Sequence, residues 1–275
     1  NWYKRCFCPA GVCLDVVSSA STLTMEYRIL YAARNWASFD VYVDQVFVQT
    51  IELADLESGN ISIQFEQSGE KRITIYLPQL VEIELKNIRF DASALPAPDY
   101  QKKLLVLGDS ITQGFSARRP SSSYPVQLAR FWEASLLNLA IGGDIYYPDH
   151  LDELEFQPDR IIIAYGTNDW SRETDVMISY IRGYYEKLQK LYSCREVYAL
   201  LPIWRDDWKN PRGCGSFEEL KRILTQEISQ FPHVRIIDGK ALLPNIRFYT
   251  DDGLHPTDEG FLHYALHLVK AIGKM

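Results

Sequence analysis

The chain changes rhythm once, and that change divides it into two folds. Up to about residue 95, short runs alternate apolar with polar side chains, at 22–29, 38–44, 71–76 and 81–86. Successive side chains of a strand point to opposite faces, so such runs predict half-buried strands. Val43-Asp44-Gln45-Val46 has the length of a hairpin turn; Ser58-Gly59-Asn60 and Ser68-Gly69-Glu70 are expected as further turns. Short strands at this spacing predict an all-β sandwich over residues 1–96. The segment 91–100 carries Pro96 and Pro98 among small residues and is expected to interrupt secondary structure. Beyond it, over residues 101–275, strands are expected at 104–107, 136–140, 159–165, 197–202 and 234–238. Helices are expected at 124–132, 173–192, 216–229 and 258–272. Alternating strands and helices predict an α/β unit, a parallel sheet with helices on both faces. In the 173–192 helix, Val176, Ile178, Ile181, Tyr184 and Leu188 recur at helical spacing and are expected in the core.

Composition narrows the function classes. Apolar residues make up 47% of the 275 and charged residues 24%, as in ordinary globular proteins. No apolar run approaches 18 residues, so no membrane-spanning helix is expected. A net charge of −7 without a long basic run disfavours nucleic acid and anionic membrane as partners. Of five cysteines, Cys6, Cys8 and Cys13 crowd the start at a spacing unlike the usual zinc patterns. They read as reduced thiols, which makes the cytoplasm the expected location. The start, Asn1-Trp2-Tyr3-Lys4-Arg5, has neither an initiator Met nor an apolar leader, and a trimmed start leaves export open. Asn60-Ile61-Ser62 is a glycosylation triplet, without meaning in a cell that does not glycosylate.

The chemistry concentrates in four blocks. Leu104-Leu105-Val106-Leu107 reads as a buried strand and runs into Gly108-Asp109-Ser110-Ile111-Thr112-Gln113-Gly114. This sets a serine on a tight turn at the C-terminal end of a strand, where open α/β sheets build their sites. Gly-Asp-Ser is also an ordinary turn sequence. Three later segments outweigh that reading. Asn138-Leu139-Ala140-Ile141-Gly142-Gly143-Asp144 is a strand ending in two glycines. The strand 161–165 ends in Gly166-Thr167-Asn168-Asp169. Near the C-terminus stands Asp251-Asp252-Gly253-Leu254-His255-Pro256-Thr257.

Ser, Gly, Asn and Asp-x-x-His in this order resemble the SGNH, or GDSL, hydrolase family over roughly residues 102–275. The resemblance implies a flavodoxin-like three-layer fold and an esterase that needs no cofactor and no metal. A sandwich in front of such a domain resembles two-domain carbohydrate esterases with a jelly-roll front domain.

A serine hydroxyl is a poor nucleophile until a base reaches it and a third group orients the base. His255 is the candidate base for Ser110. Asp251 and Asp252 could each orient it; the family pattern Asp-x-x-His selects Asp252. Ester cleavage gathers negative charge on the carbonyl oxygen, which preset donors stabilise. The resemblance implies the backbone N–H of Ser110, the backbone N–H of Gly143 (with Gly142 one residue away) and the side-chain amide of Asn168. Asp109 reads as a structural residue bonding loop amides. His263 and His267 lie four apart on the last helix and read as packing or surface residues. His150, in an acidic loop, reads as a solvated residue. Gly-x-Ser-x-Gly is absent, so this is not the usual α/β-hydrolase elbow.

Aromatic residues near the blocks, Tyr146, Trp170 and Trp204, are candidate substrate-binding rings, because flat rings suit sugar faces and small acyl groups. The expected activity is hydrolysis of a short acyl ester, acetyl first, on a carbohydrate, by a Ser110 acyl-enzyme. A lipid-directed esterase, lysophospholipase or thioesterase is the alternative among enzymes; a non-catalytic carbohydrate-binding protein is the alternative outside them. Acyl length, the sugar and the oligomeric state are not encoded in any motif of the chain.

Overall fold

The computed structural model describes residues 2–275, which divide into two compact units. The first holds a short helix α1 (Trp2–Arg5) and eight strands: β1 (Cys13–Ser18), β2 (Thr22–Ala32), β3 (Ser38–Val43), β4 (Val46–Glu52), β5 (Ser58–Gln64), β6 (Lys71–Tyr76), β7 (Val81–Phe90) and β8 (Ala94–Pro96). They form two antiparallel sheets, β4-β3-β6-β1-β8 and β5-β2-β7. Leu23, Met25 and Tyr27 alternate inward from β2, Phe39, Val41 and Val43 from β3, Ile61 and Ile63 from β5, and Ile73 and Ile75 from β6. Their burial in one cluster makes the two sheets a sandwich, as the alternation requires.

Turn chemistry sets the register. Asp44 and Gln45 have φ of 50° and 67°, so the β3–β4 hairpin closes on a two-residue turn with both central residues left-handed, which matches strand twist. Ser58-Gly59-Asn60, expected as a turn, instead opens β5. The Tyr27 ring crosses Gly59 so closely that an added Cβ would lie 2.8 Å from its edge, and the glycine serves close packing within a strand. Residues Ala94–Pro96, expected as a break, form β8 at the sheet edge, where the missing proline N–H costs no ladder bond.

The second unit contains a parallel sheet of β9 (Lys102–Gly108), β10 (Ala134–Asn138), β11 (Arg160–Ala164), β12 (Glu196–Leu200) and β13 (Val234–Ile237). Their order, β10-β9-β11-β12-β13, is the flavodoxin-like arrangement, with the chain reversing direction about β9. The helices are α2 (Ser110–Gln113), α3 (Tyr124–Trp132), α4 (Thr174–Leu191), α5 (Phe217–Ile228), α6 (Gly239–Leu242) and α7 (Asp258–Ile272). Helix α3 packs with α7, and α4 with α5. Leu105, Leu107, Ile161, Ile163, Val197 and Ala199 bury one sheet face against α4 and α5. On α4 the buried residues are Met177, Ile181, Tyr184, Tyr185 and Leu188; Ile178 is partly buried. Val176, expected in the core, is exposed, because the buried stripe runs through Met177 one residue further on.

Residues Ala117–Ser123 belong by contact to the first unit, although they lie within the span 101–275. The reason is a buried polar knot. Asp40, wholly buried on β3, accepts from Ser121 N (2.9 Å), Ser121 Oγ (2.5 Å) and Thr50 Oγ1 (2.6 Å). Ser38 and Gln79 donate to the carbonyls of Arg118 and Ala117. A buried donor stripped of its acceptor costs about 1–3 kcal/mol. Asp40→Ala is expected to destabilise the first unit by on the order of 3 kcal/mol, read as a lowered urea midpoint, whereas Asp91→Ala, whose bonds are exposed, shifts it far less.

Candidate active site

Strand β9 delivers the serine. It ends at Gly108, where an added Cβ would lie 2.3 Å from Thr112 Oγ1 and 2.9 Å from Ala164 O, so only glycine lets the chain turn there. The Asp109 carboxylate accepts from Ile111 N at 3.0 Å and caps α2, whose first residue is Ser110. Gly114, at φ 91°, ends the helix after one turn.

The partner comes from the loop before α7. Residues Thr250 and Pro256 bridge its base, and Asp251 N donates to His255 O at 2.9 Å. Within it, Asp252 Oδ1 accepts from the N–H of His255 (2.8 Å) and of Leu254 (3.2 Å), while its Oδ2 lies 2.8 Å from His255 Nδ1. His255 Nε2 lies 2.8 Å from Ser110 Oγ, across 145 residues of sequence. Phe115 packs on the imidazole, ring centres 4.8 Å apart. It is therefore Asp252 that meets the histidine; Asp251 holds the loop through its backbone. Gly253, at φ 77°, gives its carbonyl to Asp206 N at 2.8 Å, and a Cβ there would strike the Asp206 carboxyl. Burial pushes the Asp252 carboxyl up, but the bonds from the imidazole and from the His255 N–H outweigh it and hold the group well below the usual carboxylate range.

The three candidate donors lie on the turns that follow β9, β10 and β11. Gly142 N donates to Gln113 Oε1 at 2.8 Å, so that N–H is committed. Among the described residues, the N–H groups of Ser110 and of Gly143, the latter at φ 94°, meet no acceptor. Asn168 gives one amide hydrogen to Asp144 O at 2.8 Å and keeps the other. Asp169 fixes the turn that carries it, accepting from Gly166 N at 3.1 Å and Tyr146 N at 3.2 Å. Gln113, Asp144 and Asp169 were not singled out from sequence as supports. The only signal was their place inside the blocks.

The aromatic candidates separate. Trp170 is wholly buried against Phe217, its Nε1 donating to Gly215 O at 2.8 Å. Tyr146 is wholly buried among Tyr165, Tyr184 and Tyr185. Both are core residues, not substrate-binding rings, because α4 and α5 cover the loops that bear them. Trp204 remains half-buried, with the Lys240 ammonium 4.2 Å from its ring centre and Trp208 edge-on. His263 and His267 stack on each other, ring centres 4.0 Å apart. His150 is exposed, as expected, with its Nδ1 3.0 Å from the buried Asp144 carboxylate. Among the described residues no three His, Cys, Asp or Glu side chains gather as a metal site would need, and no helix is long and apolar enough to cross a membrane.

A family model, the GDSL-like Lipase/Acylhydrolase family, matches residues 106–261, more than half of the chain and all four blocks. The chain belongs to this family. Among its relatives is an acetylxylan esterase / glucomannan deacetylase of Cellvibrio japonicus, 28% identical over 217 residues, 63% of this chain. The chain spans 60% of that relative's length. Solved family-like folds include a salicylyl-acyltransferase from a tetracycline biosynthetic pathway, with TM-score 0.86 and 18% identity over 98% of this chain and 84% of the other. A family two carbohydrate esterase from Clostridium thermocellum, in complex with cellohexaose, has TM-score 0.75 and 14% identity over 96% and 93%. At these identities the likeness is one of fold: a GDSL-type α/β unit preceded by a jelly-roll-like sandwich.

Around the GDSL block the buried carboxyls carry a pH signature. Burial, reinforced by Asp169 and Asp144 and opposed by the Ile111 N–H, pushes Asp109 up to about 7 from an ordinary 3.8. Burial likewise pushes Asp169 to about 7, against the N–H bonds from Tyr146 and Gly166. A carboxyl whose folded value is raised favours folding fully below its unfolded value and loses that contribution as pH rises through about 7. One such group shifts stability by on the order of 4 kcal/mol across that range. Asp109→Asn keeps the oxygen that caps α2 but cannot ionise. Unfolding midpoints between pH 5 and 8 are expected to fall less steeply in this variant than in the parent; equal slopes would show that Asp109 is not proton-linked.

Proposed function

We propose that this protein is a serine esterase that removes short acyl groups, acetyl first, from carbohydrate. The observation that carries the reading is the continuous relay Asp252–His255–Ser110, two contacts of 2.8 Å each. Family membership supports ester chemistry, and the acetylxylan esterase name of a relative supports acetylated sugar as substrate.

In this reading Ser110 Oγ attacks the acetyl carbonyl carbon while His255 Nε2 takes its proton. Asp252 holds Nδ1–H, fixing the tautomer and stabilising the imidazolium. The carbonyl oxygen becomes an oxyanion held by Ser110 N, Gly143 N and Asn168 Nδ2. The C–O bond to the sugar breaks, and the imidazolium protonates the departing alkoxide. Water then repeats the sequence on the acyl-enzyme, releasing acetate and restoring Ser110. None of these steps calls for a metal or cofactor. Trp204 is the remaining aromatic that could meet the sugar, with one ring contact already taken by Lys240.

Hydrolysis of p-nitrophenyl acetate, butyrate and octanoate, and acetate release from acetylated xylo-oligosaccharide, test the reading. Acetate is expected to be the best acyl group, with activity abolished in Ser110→Ala. Asn168→Ala is expected to lose ~10²–10³ in kcat, and Asp252→Asn on the order of 10⁴. A preference for octanoate would move the substrate to lipid esters. Folded protein with no hydrolysis but saturable glycan binding would make it a binding protein.

A further inference from the structure

The turn Gly142–Asp144 supplies two of the three donors assigned above, one directly and one indirectly. Gly143 presents its own N–H, and Asp144 O holds the Asn168 amide at 2.8 Å. The turn's backbone is closed by Asp144 N donating to Ile141 O at 3.0 Å. Its remaining anchor is the Asp144 side chain, which points into the protein and is almost wholly buried. Ile145, Tyr165 and His150 are its polar neighbours; among the described residues its Oδ1 has no hydrogen bond of good geometry, and the nearest charge partner is His150 Nδ1 at 3.0 Å.

His150 is itself well placed to be rigid. It ends a single 3₁₀ turn, Pro148–His150, and its N–H donates to Tyr147 O at 3.0 Å. The Tyr147 ring meets the imidazole edge-on, centres 4.8 Å apart. Pro148 seats against Gly183 of α4, where an added Cβ would lie 3.0 Å from the proline Cγ. The imidazole is exposed on one side, as a solvated residue would be, and on the other its Nδ1 faces a buried carboxylate. It repeats, six residues past the donor turn, the histidine–aspartate contact found at the nucleophile.

We propose that His150 and Asp144 are positioning residues of the oxyanion site, a second histidine–aspartate pair that holds the Gly142–Asp144 turn and, through Asp144 O, the amide of Asn168. The inference rests on the reading of Gly143 and Asn168 as oxyanion donors. The pair touches no substrate. Its effect passes through where those donors point, and misplacing a donor by about 1 Å can cost on the order of 10²-fold in rate.

The test is a double-mutant cycle on p-nitrophenyl acetate with kcat and KM resolved, using His150→Ala, Asn168→Ala and the double variant, with Ser110→Ala as control. His150→Asn, which can keep a donor near the Nδ1 position, serves as the conservative variant, and it also serves should His150→Ala fail to fold. Expected is a loss in kcat of about 10- to 100-fold in His150→Ala, KM within about twofold, and most of the loss recovered in His150→Asn. The double variant should lose clearly less than the product of the two single losses, because both act on one group. Fully multiplicative losses, or a His150→Ala kcat within about twofold of the parent, would overturn the proposal while leaving the esterase reading intact. Should His150→Ala not fold, a His150→Asn kcat far below the parent would equally overturn it. Activity that survives Ser110→Ala would instead remove the site reading, and this inference with it.

Discussion

Parallel strands cannot be joined by a tight turn, and that constraint arranges the second unit. Each strand must cross back before the next begins, through helices in every case but β10 to β11, which is joined by a long loop with one 3₁₀ turn, so every loop that leaves a strand end emerges on the same edge of the sheet. Ser110 leaves β9, the Gly142–Asp144 turn follows β10, and Asn168 follows β11. Because β10 and β11 flank β9 on opposite sides, the chain reverses about the strand that leads to the serine, the position where open α/β sheets place their ligands. Groups 30 or 60 residues apart in sequence then become neighbours without any side chain recruiting another. The histidine loop is the one component that the sheet does not place. It has its own frame, a bridged base and a glycine carbonyl held by Asp206 N.

Much of this was legible because the residues involved leave local marks. Buried parallel strands read as unbroken apolar runs, and the helices at 124–132 and 258–272 follow from their periodicity. In the first unit the two-residue turn at Asp44-Gln45 was visible from its length, but four strands were not. β8 contains a proline, β5 opens at a glycine that looks like a turn, and β4 turns Val46, Phe47 and Val48 outward instead of alternating. Gly59 could not be interpreted without Tyr27, whose ring lies over it from the neighbouring strand. The same limit applied at the site. Tryptophan beside a catalytic turn is as consistent with a core as with a sugar platform, and only burial assigned Trp170 and Tyr146 to the core. The support given by Asp144 and Asp169 depends on bonds to residues scattered through the unit, and no spacing encodes those.

Buried carboxyls around the proposed oxyanion site need a physical account, since full negative charges there would oppose an anion. The structure handles them in two ways. Asp109 and Asp169 accept backbone N–H groups, of Ile111 for the first and of Gly166 and Tyr146 for the second, so their lone pairs stiffen turns. Burial also raises Asp144, and raises Asp109 and Asp169 to about 7, which weakens the negative charge of those two near neutrality. Rigidity is thereby obtained from groups that would be costly if left ionised and unpaired.

Residues Ala117–Ser123 have a consequence for how such a chain can be built and rebuilt. The polypeptide passes from α2, which begins at Ser110, into the first unit, anchors at Asp40, Ser38 and Gln79, and returns to begin α3. A cut at the proline-bearing linker therefore does not release two finished pieces. One would carry a buried carboxylate that has lost both Ser121 donors and keeps only Thr50, and the other would carry an orphaned stretch just downstream of its serine. The first unit is thus made of two stretches of sequence, 1–99 and 117–123. Exchanging front domains among such chains would require swapping two stretches of sequence at once.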